Sequence, residues 1–137
     1  MSYDIVWNND GTIMNFYGNI SINEIDESND MLYKDQRYET HKYSIANFLN
    51  ATSDNTINED SVMFPAAMDR GAAEYIKKMK IALVTTNKHV LRLCQHYIDI
   101  SKILKSTWEF GIFSSVEEAL IWGRATIPSK SSHKNTV

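Results

Sequence analysis

One cysteine, two prolines and five glycines leave this 137-residue chain without the usual marks of several protein classes. Cys94 stands alone and cannot close an internal disulfide, so a disulfide scaffold is excluded and a reducing compartment suits the chain. The few glycines form no G-x-G-x-x-G, P-loop or G-x-S-x-G spacing, which disfavours a glycine-rich phosphate cradle and a nucleophile elbow. The longest strongly apolar run, Ile81 to Val84, falls far short of the roughly 20 residues that span a bilayer. Met1 to Trp7 contains Asp4 and no basic leader before an apolar run, unlike a signal peptide. The expectation is a soluble, cytoplasmic protein, in which the sequons at Asn19 and Asn50 carry no weight. The net charge of -3 comes without a clustered basic face, so nucleic acid is not an expected partner. Lys77, Lys78 and Lys80 come closest, and they read as the solvated end of a helix.

Apolar residues are plentiful. They make up 43% of the chain and include three Trp, seven Tyr and five Phe, enough for one sizeable core. Tyr3 to Asn8 alternates as a strand, Asn9-Asp10-Gly11 is a turn signal, and Thr12 to Tyr17 is a second strand, which together make an opening hairpin. Ser21 to Glu24 spells a capping box, flanked by Ile20 and Ile25 at the spacing of a hydrophobic staple. Ile22, Ile25, Asn29, Leu32 and Gln36 then share a helical stripe, with Lys34 and Arg37 late in the helix as its dipole prefers. Asn29 is expected at the edge of that stripe, bonded to backbone or water.

Tyr43 to Leu49 predicts a third strand, and Asn50 to Asp60 a long polar loop. A second helix starts between Ser61 and Pro65, since proline is tolerated only in a first turn, and runs to about Lys78. Lys80 to Thr85 suits a parallel strand buried on both faces. Thr86-Asn87 caps a third helix lined by Val90, Leu93, Tyr97 and Leu104. Thr107 to Phe113 is a fifth strand, and Ser114 or Ser115 with Glu117 and Glu118 opens a last helix. Residues 126–137 lack periodicity and read as a disordered tail after a single domain over residues 1–125. The order β-β-α-β-α-β-α-β-α implies an α/β fold with a mixed sheet of about five strands, antiparallel at one edge and parallel elsewhere.

That order carries a resemblance. So do the Ser44-Ile45-Ala46-Asn47-Phe48 strand followed by a loop and an Ala-rich helix, the run Met79 to Val84, and the ending Phe113 to Trp122. Over roughly Tyr3 to Ala125 the chain resembles the SpoIIAA-like (STAS/SEC14-like) small bacterial domains. The resemblance implies a SpoIIAA-like fold and a cytoplasmic regulatory or protein-interaction role, and its Sec14-like side implies a lipid-like ligand as an alternative. Relatives that antagonise anti-sigma factors carry an Asp-Ser-x-Gly element, phosphorylated at its Ser, where the second helix begins. Here Ser53-Asp54 reverses that order and Asp69-Arg70-Gly71 lacks the Ser, which leaves Ser61 as the candidate for a similar place. Asn47 stands where such relatives often have Asp.

Catalytic and metal chemistry find little support in the residues. His89 and His96 are seven apart on one helix, about 10.5 Å along its axis, whereas helical ligands converge from a spacing of three or four. Cys94 lies among Leu91, Leu93 and Ile98 and reads as a buried, inert thiol. The pairs Asp26-Glu27, Glu59-Asp60 and Glu117-Glu118 fall at helix starts, where dipole and cap chemistry account for them. No cofactor and no metal is expected. Any ligand or partner surface is expected at the carboxyl edge of the parallel strands, at Ser61, Thr86, Asn87, Lys88 and His89. Trp108, Phe110, Phe113, Tyr97 and Phe64 are candidates for an apolar pocket, or simply core.

Three functions follow in order of preference. The first is a non-enzymatic regulatory module that binds a protein partner. The second is a carrier or sensor of a small apolar ligand. The third is an enzyme using the strand-end edge. The hairpin edge also makes a homodimer an open expectation.

Overall fold

The computed structural model describes residues 3–53 and 57–125; the tail predicted for 126–137 lies outside them. The described chain forms β1 (Tyr3–Trp7), β2 (Gly11–Asn19), α1 (Ile22–Tyr33), β3 (Tyr43–Thr52), α2 (Met63–Ala72), β4 (Lys80–Val84), α3 (Lys88–Ile103), β5 (Glu109–Phe113) and α4 (Val116–Arg124), with 3₁₀ turns at Gln36–Thr40 and Glu59–Val62. The five strands lie in sequence order in one sheet. β1 and β2 pair antiparallel, and each later pair is parallel.

Alternation along the strands sorts the core into two layers. Met14, Phe16, Ala46, Phe48, Ile81 and Leu83 face Leu32 of α1, Ala66 and Ala72 of α2, and Val90, Leu93 and Tyr97 of α3. Burial of each large apolar side chain here contributes roughly 1.5–3 kcal/mol. Tyr43, Ile45, Ala82 and Val84 point the other way, under Ala119, Leu120 and Trp122 of α4. β4 is buried along its whole length, as its continuous apolar run implied.

The predicted caps form. Ser21 Oγ accepts from Glu24 N at 3.3 Å while Glu24 Oε1 accepts from Ser21 N at 2.8 Å. Asn87 Oδ1 accepts from Val90 N at 3.0 Å, and Ser115 Oγ accepts from Glu118 N at 3.1 Å.

Four boundaries differ from expectation. α1 ends at Tyr33, because Asp35 accepts from Arg37 N at 2.9 Å and starts a separate 3₁₀ turn that brings Tyr38 into the core. The polar stretch after Leu49 is not all loop, since β3 runs on to Thr52 beside Tyr17–Asn19. A bulge at Phe48–Leu49 permits this: Asn47 Oδ1 accepts from Leu49 N at 3.1 Å, and Asn47 Nδ2 donates to Asn15 Oδ1 at 2.8 Å. Gly18 then adopts φ 70° near the end of β2, a left-handed conformation open to glycine. α2 stops at Ala72, and the chain turns so that Ile76 is buried and its carbonyl accepts from Trp108 Nε1 at 2.7 Å.

The fourth concerns Lys80, which is not at a solvated helix end. It is buried at the start of β4, and its Nζ donates to the carbonyls of Trp122 and Ala125, both at 2.9 Å. A cation at a helix C-terminus satisfies carbonyls that the helix itself leaves open. Tyr43 fixes the same end of α4. Its ring fits between Gly11 and Gly123, and its hydroxyl donates to Asp10 Oδ1 at 2.9 Å and accepts from Arg124 Nη2 at 3.2 Å.

Candidate functional site

Of the residues expected at the carboxyl edge of the parallel strands, Asn87 and Ser61 take part in helix caps. Asn87 caps α3, Thr85 Oγ1 accepts from Asn87 N at 3.1 Å, and Thr86 and Lys88 are exposed beside it. His89 is half-buried, with Nε2 3.2 Å from the carbonyl oxygen of Ile57. His96, two turns along α3, has Nδ1 3.5 Å from Glu59 Oε2. The two histidines therefore face the same 57–59 segment, each from its own turn of the helix. Ser61 lies in the 3₁₀ turn before α2, where its Oγ accepts from Asn58 N at 3.1 Å and Asn58 Oδ1 accepts from Ser61 N at 3.2 Å.

Behind this edge, between the sheet and α1–α3, is a cavity of about 100 Å³. Its walls are mainly apolar, including Phe16, Phe48, Leu83, Val90 and Leu93. The half-buried Ile22, Ile25, Asn29 and Ser53 form the side nearer solvent. Asn29 thus borders the cavity from the stripe edge. Cys94 is another wall, and burial pushes its thiol up to about 12, far from thiolate chemistry at neutral pH. Of the aromatic residues considered for a pocket, Tyr97 lines this cavity. Trp108 is core, Phe110 packs edge-on to Tyr97, Phe113 meets Trp122 on the opposite sheet face, and Phe64 is exposed.

Asp69 is the charged group at this cavity, and sequence reasoning did not single it out. It projects from the buried face of α2, three residues from both Ala66 and Ala72. That spacing, an acid on an apolar helical stripe, was the available signal. Its carboxylate accepts one hydrogen bond from the Tyr33 hydroxyl on α1 and one from the Tyr97 hydroxyl on α3. Burial lifts its pKa to about 6, and the two phenols pull against that rise. Burial and the nearby Asp69 charge push the phenols of Tyr33, Tyr97 and Tyr38 upward, so all three stay protonated.

The outer face of α2 is unusual in the opposite sense. Pro65, Ala66 and Ala72 point inward, while Phe64 and Met68 point outward and are 56% and 38% exposed; Tyr75, in the turn after the helix, is 59% exposed. Met63 is exposed beside them.

Neither a family model nor a curated protein matches this sequence. The fold matches a solved structure, the anti-sigma factor antagonist SpoIIAA in its unphosphorylated form, with a TM-score of 0.56 at 10% identity, over 92% of this chain and 99% of that one. The fold is SpoIIAA-like. It has the expected mixed five-stranded sheet, antiparallel at β1–β2 and parallel beyond.

Within this SpoIIAA-like frame, Ser61 precedes α2 and its hydroxyl is engaged in the reciprocal cap with Asn58. Asn47 sits at the β3 bulge and continues through Asn15 to Asp4, whose Oδ1 accepts from Asn15 Nδ2 at 3.0 Å. That ladder crosses a sheet face, and it accounts for Asn47 without catalysis. Among the described residues, no helix is long and apolar enough to cross a membrane.

Proposed function

We propose that the chain is a non-enzymatic, cytoplasmic regulatory module that works by docking a protein partner, with the outer face of α2 as the contact. One observation carries this reading: Met63, Phe64 and Met68 present exposed apolar side chains on α2, whose Pro65, Ala66 and Ala72 are buried, and exposed Tyr75 follows in the turn after the helix. Aromatic residues and Met are the types enriched in protein interfaces, and clustered exposed apolar surface marks such sites. The fold shared with an anti-sigma factor antagonist supports the same role. Ser61, Thr86, Asn87, Lys88 and His89 are proposed as the polar rim of this surface. Without an Asp-Ser-x-Gly element, a phosphoserine switch of that kind forms no part of the proposal. The test is differential capture by wild type, Phe64→Ser/Met68→Ser and Ile121→Ser, the last a control on the exposed face of α4. A partner held by wild type and Ile121→Ser but lost by the double variant is the expected result. Equal retention by all three contradicts the assignment.

A second reading, a carrier or sensor of a small apolar ligand, is favoured by the cavity behind the strand edge. Preformed apolar pockets with few polar groups are the usual form of such sites. Native mass spectrometry of gently purified protein should then show a bound small molecule; ligand-free mass across preparations, with no uptake of added apolar probes, counts against it.

A further inference from the structure

We propose that the cavity between the sheet and α1–α3 takes a small, compact apolar molecule carrying one protonated amine, with Asp69 as its counterion; the proposal rests on the ligand-binding reading above. Size sets the first limit. An engineered apolar cavity of about 150 Å³ holds benzene, with its six heavy atoms, so about 100 Å³ suits roughly four or five and is too small for an extended acyl chain.

Charge sets the second. Among the described residues lining the cavity, Asp69 is the one charged side chain, and no Lys, Arg or His accompanies it. A buried carboxylate with no cation is costly, and two neutral phenols compensate it only in part. Each carboxylate oxygen has two acceptor positions, and the Tyr33 and Tyr97 hydroxyls occupy one on each. An ammonium group has three donors and the missing positive charge, so it complements what remains. The hydrocarbon part of such a ligand would meet Leu83, Val90, Leu93 and Phe48. A carboxylate ligand of the same shape would be repelled, and a neutral alcohol would gain a hydrogen bond but no charge.

The test compares isobutylamine, isobutanol and isobutyrate by calorimetric titration at pH 7.5. Nuclear Overhauser contacts from the bound probe to the Leu83 and Leu93 methyl groups place it in the cavity. Wild type is expected to bind isobutylamine at least tenfold more tightly than isobutanol, with isobutyrate unbound. In Asp69→Asn that preference is expected to vanish while isobutanol affinity persists. The wild-type comparison stands even where the variant does not fold. Equal affinity for amine and alcohol overturns the amine assignment and leaves the ligand-binding reading intact. No binding of any of the three probes overturns both.

Discussion

Replacing Asp69 by Asn removes a titration that the fold displaces upward, so the effect appears in the pH dependence of stability. The Asp69 pKa moves from an ordinary 3.8 to about 6 on folding, mainly through burial. The folded state therefore holds this proton more tightly than the unfolded chain. The associated stabilisation is fully present well below about pH 4 and is lost as pH rises toward and through 6. A shift of about two units corresponds to about 3 kcal/mol between those limits. Urea unfolding of wild type and Asp69→Asn from pH 4 to 7.5 isolates the contribution, because the other carboxylates titrate in both proteins. The stability of wild type relative to the variant should fall by about 2.5 kcal/mol over that range, the rest having gone by pH 4 as the unfolded carboxyl begins to ionise. A pH-independent difference would refute the reasoning. So would a wild type that gains on the variant as pH rises, which is the behaviour of a carboxylate stabilised by a resident cation.

Two further expectations concern α4. A Cβ at Gly123 would lie 2.9 Å from Tyr43 Cβ and 3.0 Å from its Cγ, so Gly123→Ala should destabilise by about 1–3 kcal/mol although alanine is the better helix former. Chemical denaturation checks the sign, and a more stable variant would show that α4 does not press on Tyr43. Lys80→Met removes the donor to the Trp122 and Ala125 carbonyls and should cost about 1–3 kcal/mol. Faster amide exchange confined to the last turn of α4 is the accompanying signature, and unchanged exchange there would contradict the capping role.

What the sequence disclosed tracks how local the governing physics is. The Ser21–Glu24 box, the Asn87 and Ser115 caps and the buried run of β4 depend on neighbours within four residues, and all were legible. Tertiary partners decided the rest. β3 continues past Leu49 because the end of β2 offers a pairing edge and Asn47 stabilises a bulge. Lys80 belongs indoors because α4, some forty residues later, presents carbonyls to it. Asp69 is tied to Tyr33 and Tyr97 across three helices, a relation that spacing within α2 could hint at but not complete. The exposed apolar side chains of α2 were not legible: Phe64 suits a pocket or the core from sequence, and the small residues fall on both sides, Ala66 and Ala72 buried, Ala67 and Gly71 exposed. Which side faced the sheet required the fold.

The partner-docking claim is tested most directly by a photoreactive cross-linker in place of Phe64, compared with the same group in place of Ile121. Both positions are exposed, on α2 and α4 respectively. The account predicts a discrete adduct with one partner protein from the α2 position, competed away by unlabelled wild type, and none from the α4 position. Adducts formed equally at both positions, or only between copies of this chain, would contradict it.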